Sequence, residues 1–223
     1  MARKQTRIRQ GTLAFCQWGG PRRGAGRKPS GARACVSRRA RPAIAARHPI
    51  HVTVRLRDRL PSLRSHAERA ALGRAFALGR DRFGFRLVHH SIQSNHFHLI
   101  VEACERRALS RGMKGLLVRG ARALNELWSR RGSVFADRFH ARSLRTPREV
   151  RNALVYVLQN ARRHGIHGQG PDEFSSGPWF DGWSEHVVAP RRAWPAAEAT
   201  MWLLRFGWRR HGLIGRDETP GRC

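Results

Sequence analysis

His96 and His98 stand two residues apart in the run Ser94-Asn95-His96-Phe97-His98-Leu99-Ile100-Val101-Glu102. In an extended strand that spacing sends both imidazoles to one face and Phe97, Leu99 and Val101 to the other. The apolar face belongs to a core, so the histidines face a shared site where two imidazoles can hold one divalent ion. Among 223 residues with 12 histidines such a pair arises by chance about 0.6 times, so context must carry the motif. An incidental pair stays open at this point.

A second group lies downstream. Tyr156 is the only tyrosine of the chain, inside a segment of helical pattern. On a 3.6-residue wheel Val150, Leu154, Val157, Leu158 and Ala161 form one stripe, and Tyr156 falls about 150° from its centre. Asn160 is one turn ahead, Asn152 one turn back and Arg163 close by, which places them with Tyr156 on a polar face. A phenol bracketed by amides and a cation suits a hydroxyl that must be oriented. An exposed tyrosine without chemistry is the alternative.

The elements that must position these residues are legible from the pattern. Val52, Val54 and Leu56 alternate with His51, Thr53 and Arg55, the period of a half-buried strand, ended by Pro61. Residues 62–80 read as a helix and Gly84 as its breaker. Phe85 to His90 and Asn95 to Glu102 are two extended stretches with polar residues between, a hairpin. Leu109 to Arg130 is a helix with an apolar stripe through Met113, Leu116, Leu124 and Trp128. Val134 to Leu144 reads as an edge strand with Arg138, His140 and Arg142 on one face.

Thr146-Pro147-Arg148-Glu149 opens a third helix with a capping-box signature, expected to run to His164 before Gly165. The order β-α-β-β-α-β-α predicts an α+β, ferredoxin-like domain with one antiparallel sheet. Glu102 falls on the face of His96 and His98, as a metal-shell residue or base or, more simply, as a solvated strand end.

Charge sets the class of partner. Lys and Arg total 44 against 15 Asp and Glu, a formal net charge of +29, so a phosphate-rich polymer is the natural counter-charge. Residues 1–47 carry no acidic side chain and are rich in Arg, Gly and Pro, which predicts a disordered basic arm. Its Gly26-Arg27-Lys28-Pro29 is a candidate minor-groove hook, with Arg27 and Lys28 as DNA contacts, or a plain basic tail. Arg55, Arg57, Arg138, Arg142 and Arg163 are further candidates to track a DNA backbone.

Residues 48–170 would form the domain, and 171–223 a Trp/Arg-rich extension that stacks bases or caps the core. Four scattered cysteines have neither disulfide nor zinc spacing and read as reduced thiols. No apolar run reaches membrane-spanning length and no cleavable leader is evident, so a cytoplasmic chain is expected.

The histidine run resembles the Asn-His-x-His-hydrophobic motif of the HUH single-tyrosine transposases, the insertion-sequence-200-like group. Tyr156-Val157-Leu158-Gln159-Asn160 resembles their Tyr-x-x-x-Gln/Asn helix. The asparagine form, followed by Arg162-Arg163-His164-Gly165, is most similar to the REP-associated tyrosine transposases, although Ala161 stands where they often carry proline. The resemblance spans about residues 48 to 170. It implies Tyr156 as nucleophile, His96 and His98 as metal ligands, and Asn160 as a third ligand or its orienter. It implies magnesium or manganese; imidazole suits magnesium less well than carboxylate or water, which favours manganese in vitro. The implied partner is single-stranded DNA, hairpin-forming, bound by a monomer or homodimer in the bacterial cytoplasm, in association with the nucleoid.

The chemistry is self-consistent. A phenol ionises more readily than an aliphatic alcohol, and attack on a phosphodiester gives a 5′-phosphotyrosine and a free 3′-OH. That covalent bond conserves the ester, so another 3′-OH can reverse it without a nucleotide cofactor. Competing expectations are a non-catalytic nucleic-acid-binding module on a ferredoxin-like sheet, a replication-initiator or relaxase-type nuclease, and a zinc site of His96, His98 and Cys104.

Overall fold

The computed structural model describes residues 43–166, 168, 170–191 and 193–221. The expected basic arm up to residue 42, with Arg27 and Lys28, lies outside the described residues.

Alternation builds the sheet. β1 (Ile50–Arg55), β2 (Asp81–Arg82), β3 (Phe85–Ile92), β4 (His96–Ala103) and β5 (His140–Ser143) form one sheet in the order β2-β3-β4-β1-β5, and every pairing is antiparallel. Without the two-residue β2, this is the strand order of the ferredoxin-like plan expected from the sequence. One face carries Val52, Val54, Phe97, Leu99 and Val101, each at most 1% exposed. It packs on α1 (His66–Gly79) and α2 (Arg106–Leu127) through Leu72, Phe76, Leu109, Met113 and Leu116. Gly112 is required where α2 meets the sheet, because a Cβ there would lie 2.1 Å from Phe85 Cγ.

The opposite face is covered too. α3 (Pro147–Leu158) and the C-terminal segment enclose Val88 and Ile100 with Leu154, Leu158, Phe180, Trp183 and Trp208. The tail also runs along the outer edge of β3. Ile92 N–H donates to Phe174 O, Ser176 N–H to His90 O and Ala197 N–H to Leu87 O, which satisfies a strand edge that would otherwise invite pairing. Trp183 and Trp208 are therefore core residues, whereas Trp202 remains 49% exposed.

Several boundaries differ from the sequence reading. α1 starts at His66 because Ser65 is its N-cap, accepting from Glu68 N–H. The edge strand is confined to His140–Ser143, preceded by a single bridge from Phe135 to Leu56, so Arg138 does not share a strand face with His140 and Arg142. The third helix stops at Leu158 and resumes after Gln159 as α4 (Asn160–Arg163). Thr146 accepts from Glu149 N–H as expected, but the Glu149 carboxylate takes the N–H of Arg145. That bond is the main reason its pKa lies below the usual value.

Glu102 is neither a solvated strand end nor part of the histidine cluster. It is 3% exposed and accepts from Thr200 N–H at 2.9 Å, Thr200 Oγ1 at 2.6 Å and Met201 N–H at 2.8 Å. A buried carboxylate thus fastens the tail to β4.

Candidate active site

The strand register assembles the site. Thr53 pairs with His98 and Arg55 with His96, while His51 pairs with Arg142 and Thr53 with His140 across β5. On the sheet face turned to α3, therefore, His51, Thr53, His96 and His98 are neighbours. Tyr156 comes down from α3, half-buried, its ring 5.0 Å from the His98 ring and 5.6 Å from the His51 ring, both edge-on. His164, in the turn after α4, places its ring 6.1 Å from His96. Gly165, with φ +76°, ends that turn in the left-handed region that glycine adopts without strain.

The hydrogen bonds of the two motif histidines leave the same nitrogen available. His96 Nδ1 lies 2.8 Å from Asn95 Oδ1. An amide oxygen only accepts, so His96 carries its proton on Nδ1 and its lone pair on Nε2. His98 Nδ1 lies 3.2 Å from His51 Nε2 and 3.1 Å from Thr53 Oγ1, and its Nε2 is buried without a partner. A second nitrogen fixed in this way is how metal-binding imidazoles are oriented.

Burial keeps the cluster neutral. Desolvation first, with the neighbouring His51, His96, His164 and Arg163 behind it, lowers the His98 pKa to about 2. Desolvation first, with His164 and Arg55 behind it, lowers His96 to about 4; desolvation, Arg142 and His140 do the same to His51. All three imidazoles are thus unprotonated at neutral pH, the state a metal requires.

Asn160 departs from its expected place on an exposed polar face. It is fully buried, and neither its Nδ2 nor its Oδ1 has a partner. In sequence it stands one turn from both Tyr156 and His164, whose rings neighbour those of His98 and His96 respectively. Asn152 stays exposed and with His51, Arg142 and Glu149 lines a cleft of about 310 Å³.

Among the described residues no three His, Cys, Asp or Glu side chains group as a metal site. A donor set of His96, His98 and Asn160 fits an ion because His98 Nε2 and the Asn160 amide are orphaned buried atoms that coordination would satisfy. The zinc reading fails on distance, since Cys104 is eight positions beyond His96 along an extended chain, roughly 26 Å away. Cys104 is a free, exposed thiol; Cys16, Cys35 and Cys223 lie outside the described residues.

Of the expected DNA-contacting arginines, three surround the site. Arg163 lies over the Tyr156 ring, 5.4 Å from its centroid. Arg55 follows the end of the histidine face and pairs with Asp58 at 3.7 Å, and Arg142 borders His51 and pairs with Glu149 at 3.5 Å. Arg57 and Arg138 are exposed on connecting segments outside the cluster. Sequence reasoning passed over His51, Thr53 and His164. The alternation of β1 already set His51 and Thr53 on its polar face, but only the register shows that this face abuts His98.

No family model and no curated protein matches the chain. Among solved structures, that of a REP-associated tyrosine transposase bound to a REP hairpin is similar, with a TM-score of 0.52 and 18% identity over 71% of this chain and 99% of that one. A bacterial tRNA(His) guanylyltransferase-like protein in complex with GTP aligns at a TM-score of 0.41 and 14% identity, over 55% of this chain and 66% of that one. The chain therefore has the fold of a REP-associated tyrosine transposase: α+β, with a single antiparallel sheet. No helix of the described residues is long and apolar enough to cross a membrane.

Proposed function

We propose that the chain is a metal-assisted endonuclease and strand transferase for single-stranded DNA, a transposase-type enzyme with Tyr156 as nucleophile. The observation that carries this reading is the meeting of Tyr156 with His98 at 5.0 Å, where His98 Nε2 is buried without a partner. The basic balance, +29 overall, and three arginines around the site supply the attraction for a polyanion.

The Tyr156 hydroxyl loses its proton and its oxygen bonds to the scissile phosphorus. The bond to the 3′-oxygen breaks, and that oxygen takes up a proton to leave as a free 3′-OH. Arg163, over the Tyr156 ring, is the cation beside the nucleophile that meets the phosphate. His51 and Thr53 hold His98 in orientation. His96, His98 and Asn160 would hold a divalent cation, magnesium or manganese, which when bound would supply Lewis-acid polarisation of the phosphate. Rejoining is the reverse step with a different 3′-OH. The fold's hairpin-bound relative supports a hairpin-forming strand as substrate.

The non-catalytic alternative is disfavoured by burial. A sheet that reads RNA presents open aromatics, whereas here both faces are covered and the buried polar atoms lie beside a phenol. Labelled single-stranded hairpin DNA incubated with Mn²⁺ or Mg²⁺ is expected to yield a covalent adduct on a denaturing gel. An adduct that survives Tyr156→Phe, or a chelator, overturns the mechanism.

A further inference from the structure

Four imidazoles gather near Tyr156, and the chemistry above uses three of them. His96 and His98 offer their Nε2 atoms. His51 serves His98 from behind, its Nε2 lying 3.2 Å from His98 Nδ1, the nitrogen opposite the free one. His164 is left over. Its ring stands 6.1 Å from that of His96, at 69°, and it is exposed, with no hydrogen bond to a described residue.

The backbone under His164 is nevertheless fixed. Ile166 N–H donates to Ala161 O at 3.0 Å and Gly165 N–H to Arg162 O at 2.9 Å. These are the paired bonds of a Schellman turn, with His164 as the C-cap of α4 and Gly165 in the left-handed position. Asn160 and His164 are four residues apart across this turn and so share one side of it. The chain thus holds an imidazole one turn beyond the unpartnered Asn160 amide, free only in its own side-chain torsions.

Imidazoles that share one ion through bonds of about 2.0–2.2 Å have ring centres roughly 4.5–5.5 Å apart. The His96 and His98 rings already stand at 4.8 Å, nearly perpendicular. His164 lies less than about 1 Å outside that range, so that as they stand the three do not group as a metal site among the described residues. Rotation of an exposed histidine side chain between its staggered wells covers such a difference. The carboxylates around this face are engaged elsewhere: Glu102 by Thr200 and Met201, Asp58 by Arg55 and Glu149 by Arg142.

We propose that His164 turns inward as the third imidazole on the ion and sets which ion the chain takes. The proposal rests on the metal-assisted reading above and adds a ligand to it. Three imidazoles and one amide form a neutral, nitrogen-rich set. Such a set favours cobalt, nickel or zinc, and to a lesser degree manganese, over magnesium, which prefers oxygen. With His164 removed, the remaining pair and amide discriminate less.

The test needs no DNA. The full chain is titrated with Co²⁺ against a competing chelator, read by the visible absorption of the bound ion, and with Mg²⁺, read by melting temperature. His164→Ala is expected to weaken Co²⁺ binding about ten- to a hundredfold, the cost of disturbing a ligand shell, and to leave the Mg²⁺ response unchanged. His164→Cys puts a thiolate at the same place, and its cobalt form should gain an intense near-ultraviolet thiolate-to-cobalt band that wild type lacks. Because His164 is exposed, both variants should melt like wild type in chelator. Wild-type Co²⁺ affinity in His164→Ala, or a His164→Cys cobalt spectrum without the thiolate band, overturns the assignment. Co²⁺ binding that His98→Ala abolishes and His164→Ala leaves intact removes His164 alone and keeps the two-histidine reading. No Co²⁺ binding by wild type removes both.

Discussion

The Tyr156 ring stands edge-on to His98, 5.0 Å between centroids and 82° between planes. The ring is wedged into the second core, and its chemistry resides in one hydroxyl. Tyr156→Phe keeps the ring and its packing while deleting the nucleophile. The variant is expected to melt within a few degrees of wild type and bind the hairpin within about twofold, yet form no covalent adduct. Residual adduct above a hundredth of wild type places the nucleophile elsewhere.

The buried imidazoles make the metal-free protein acid-sensitive. His89, with Ser176 as its partner, has its pKa lowered from 6.5 to about 3, chiefly by desolvation and then by His90. A lowered folded-state value means that the unfolded chain takes up protons first. The His89 contribution to stability is therefore complete above about pH 6.5 and is lost as the pH falls toward its folded value. Between pH 6.5 and 5 one such group costs on the order of 2 kcal/mol, roughly 5 °C of melting temperature. His51, His96 and His98 act in the same direction. In chelator, His89→Gln should melt with a visibly shallower pH dependence than wild type, and parallel curves would refute the assignment.

Glu102 explains why the tail belongs to the domain. Its carboxylate accepts from Thr200 and Met201 while 3% exposed. Glu102→Ala strips the acceptor from three donors, and each buried donor left bare costs about 1–3 kcal/mol. The expected outcome is a lower melting temperature, with faster limited proteolysis around residues 196–206. Proteolysis at the wild-type rate would mean that the aromatic packing of Trp183 and Trp208 holds the tail unaided.

How much of this was legible beforehand depended on the range of the interaction. Alternation in Val52–Leu56 and in His96–Val101 assigned sheet faces because side-chain direction is local. The wheel position of Tyr156 was local as well. Register was not: that Thr53 faces His98 follows from strand pairing, and periodicity carries no information on which strands meet. The fate of Asn160 depended on a helix break at Gln159, whose Nε2 donates to Gly215 O and Arg216 O, contacts made more than fifty residues away. A continuous wheel therefore put Asn160 on the surface. Glu102 was misread for the same reason, since its partners at Thr200 and Met201 are remote in sequence. The arginines expected to track DNA divided likewise: Arg55, Arg142 and Arg163 reached the site through pairing or helix geometry, and Arg57 and Arg138 did not.

The role given to Asn160 has a consequence opposite in sign to that of an ordinary buried polar residue. Its two amide atoms are buried and unpartnered, so in the metal-free protein the side chain is a burden, and an apolar residue of similar volume should relieve it. Asn160→Leu is expected to raise the melting temperature in chelator, by about 1–2 kcal/mol in stability. Manganese should raise that of wild type, with a gain of about 2.7 kcal/mol at a hundred times the dissociation constant. If Asn160 is a ligand, the two effects trade: the Leu variant begins higher and loses most of the manganese shift, as does His98→Ala from a lower start. A variant destabilised in chelator, with its metal shift intact, would show that Asn160 is a structural amide and that the ion is held by His96 and His98 without it.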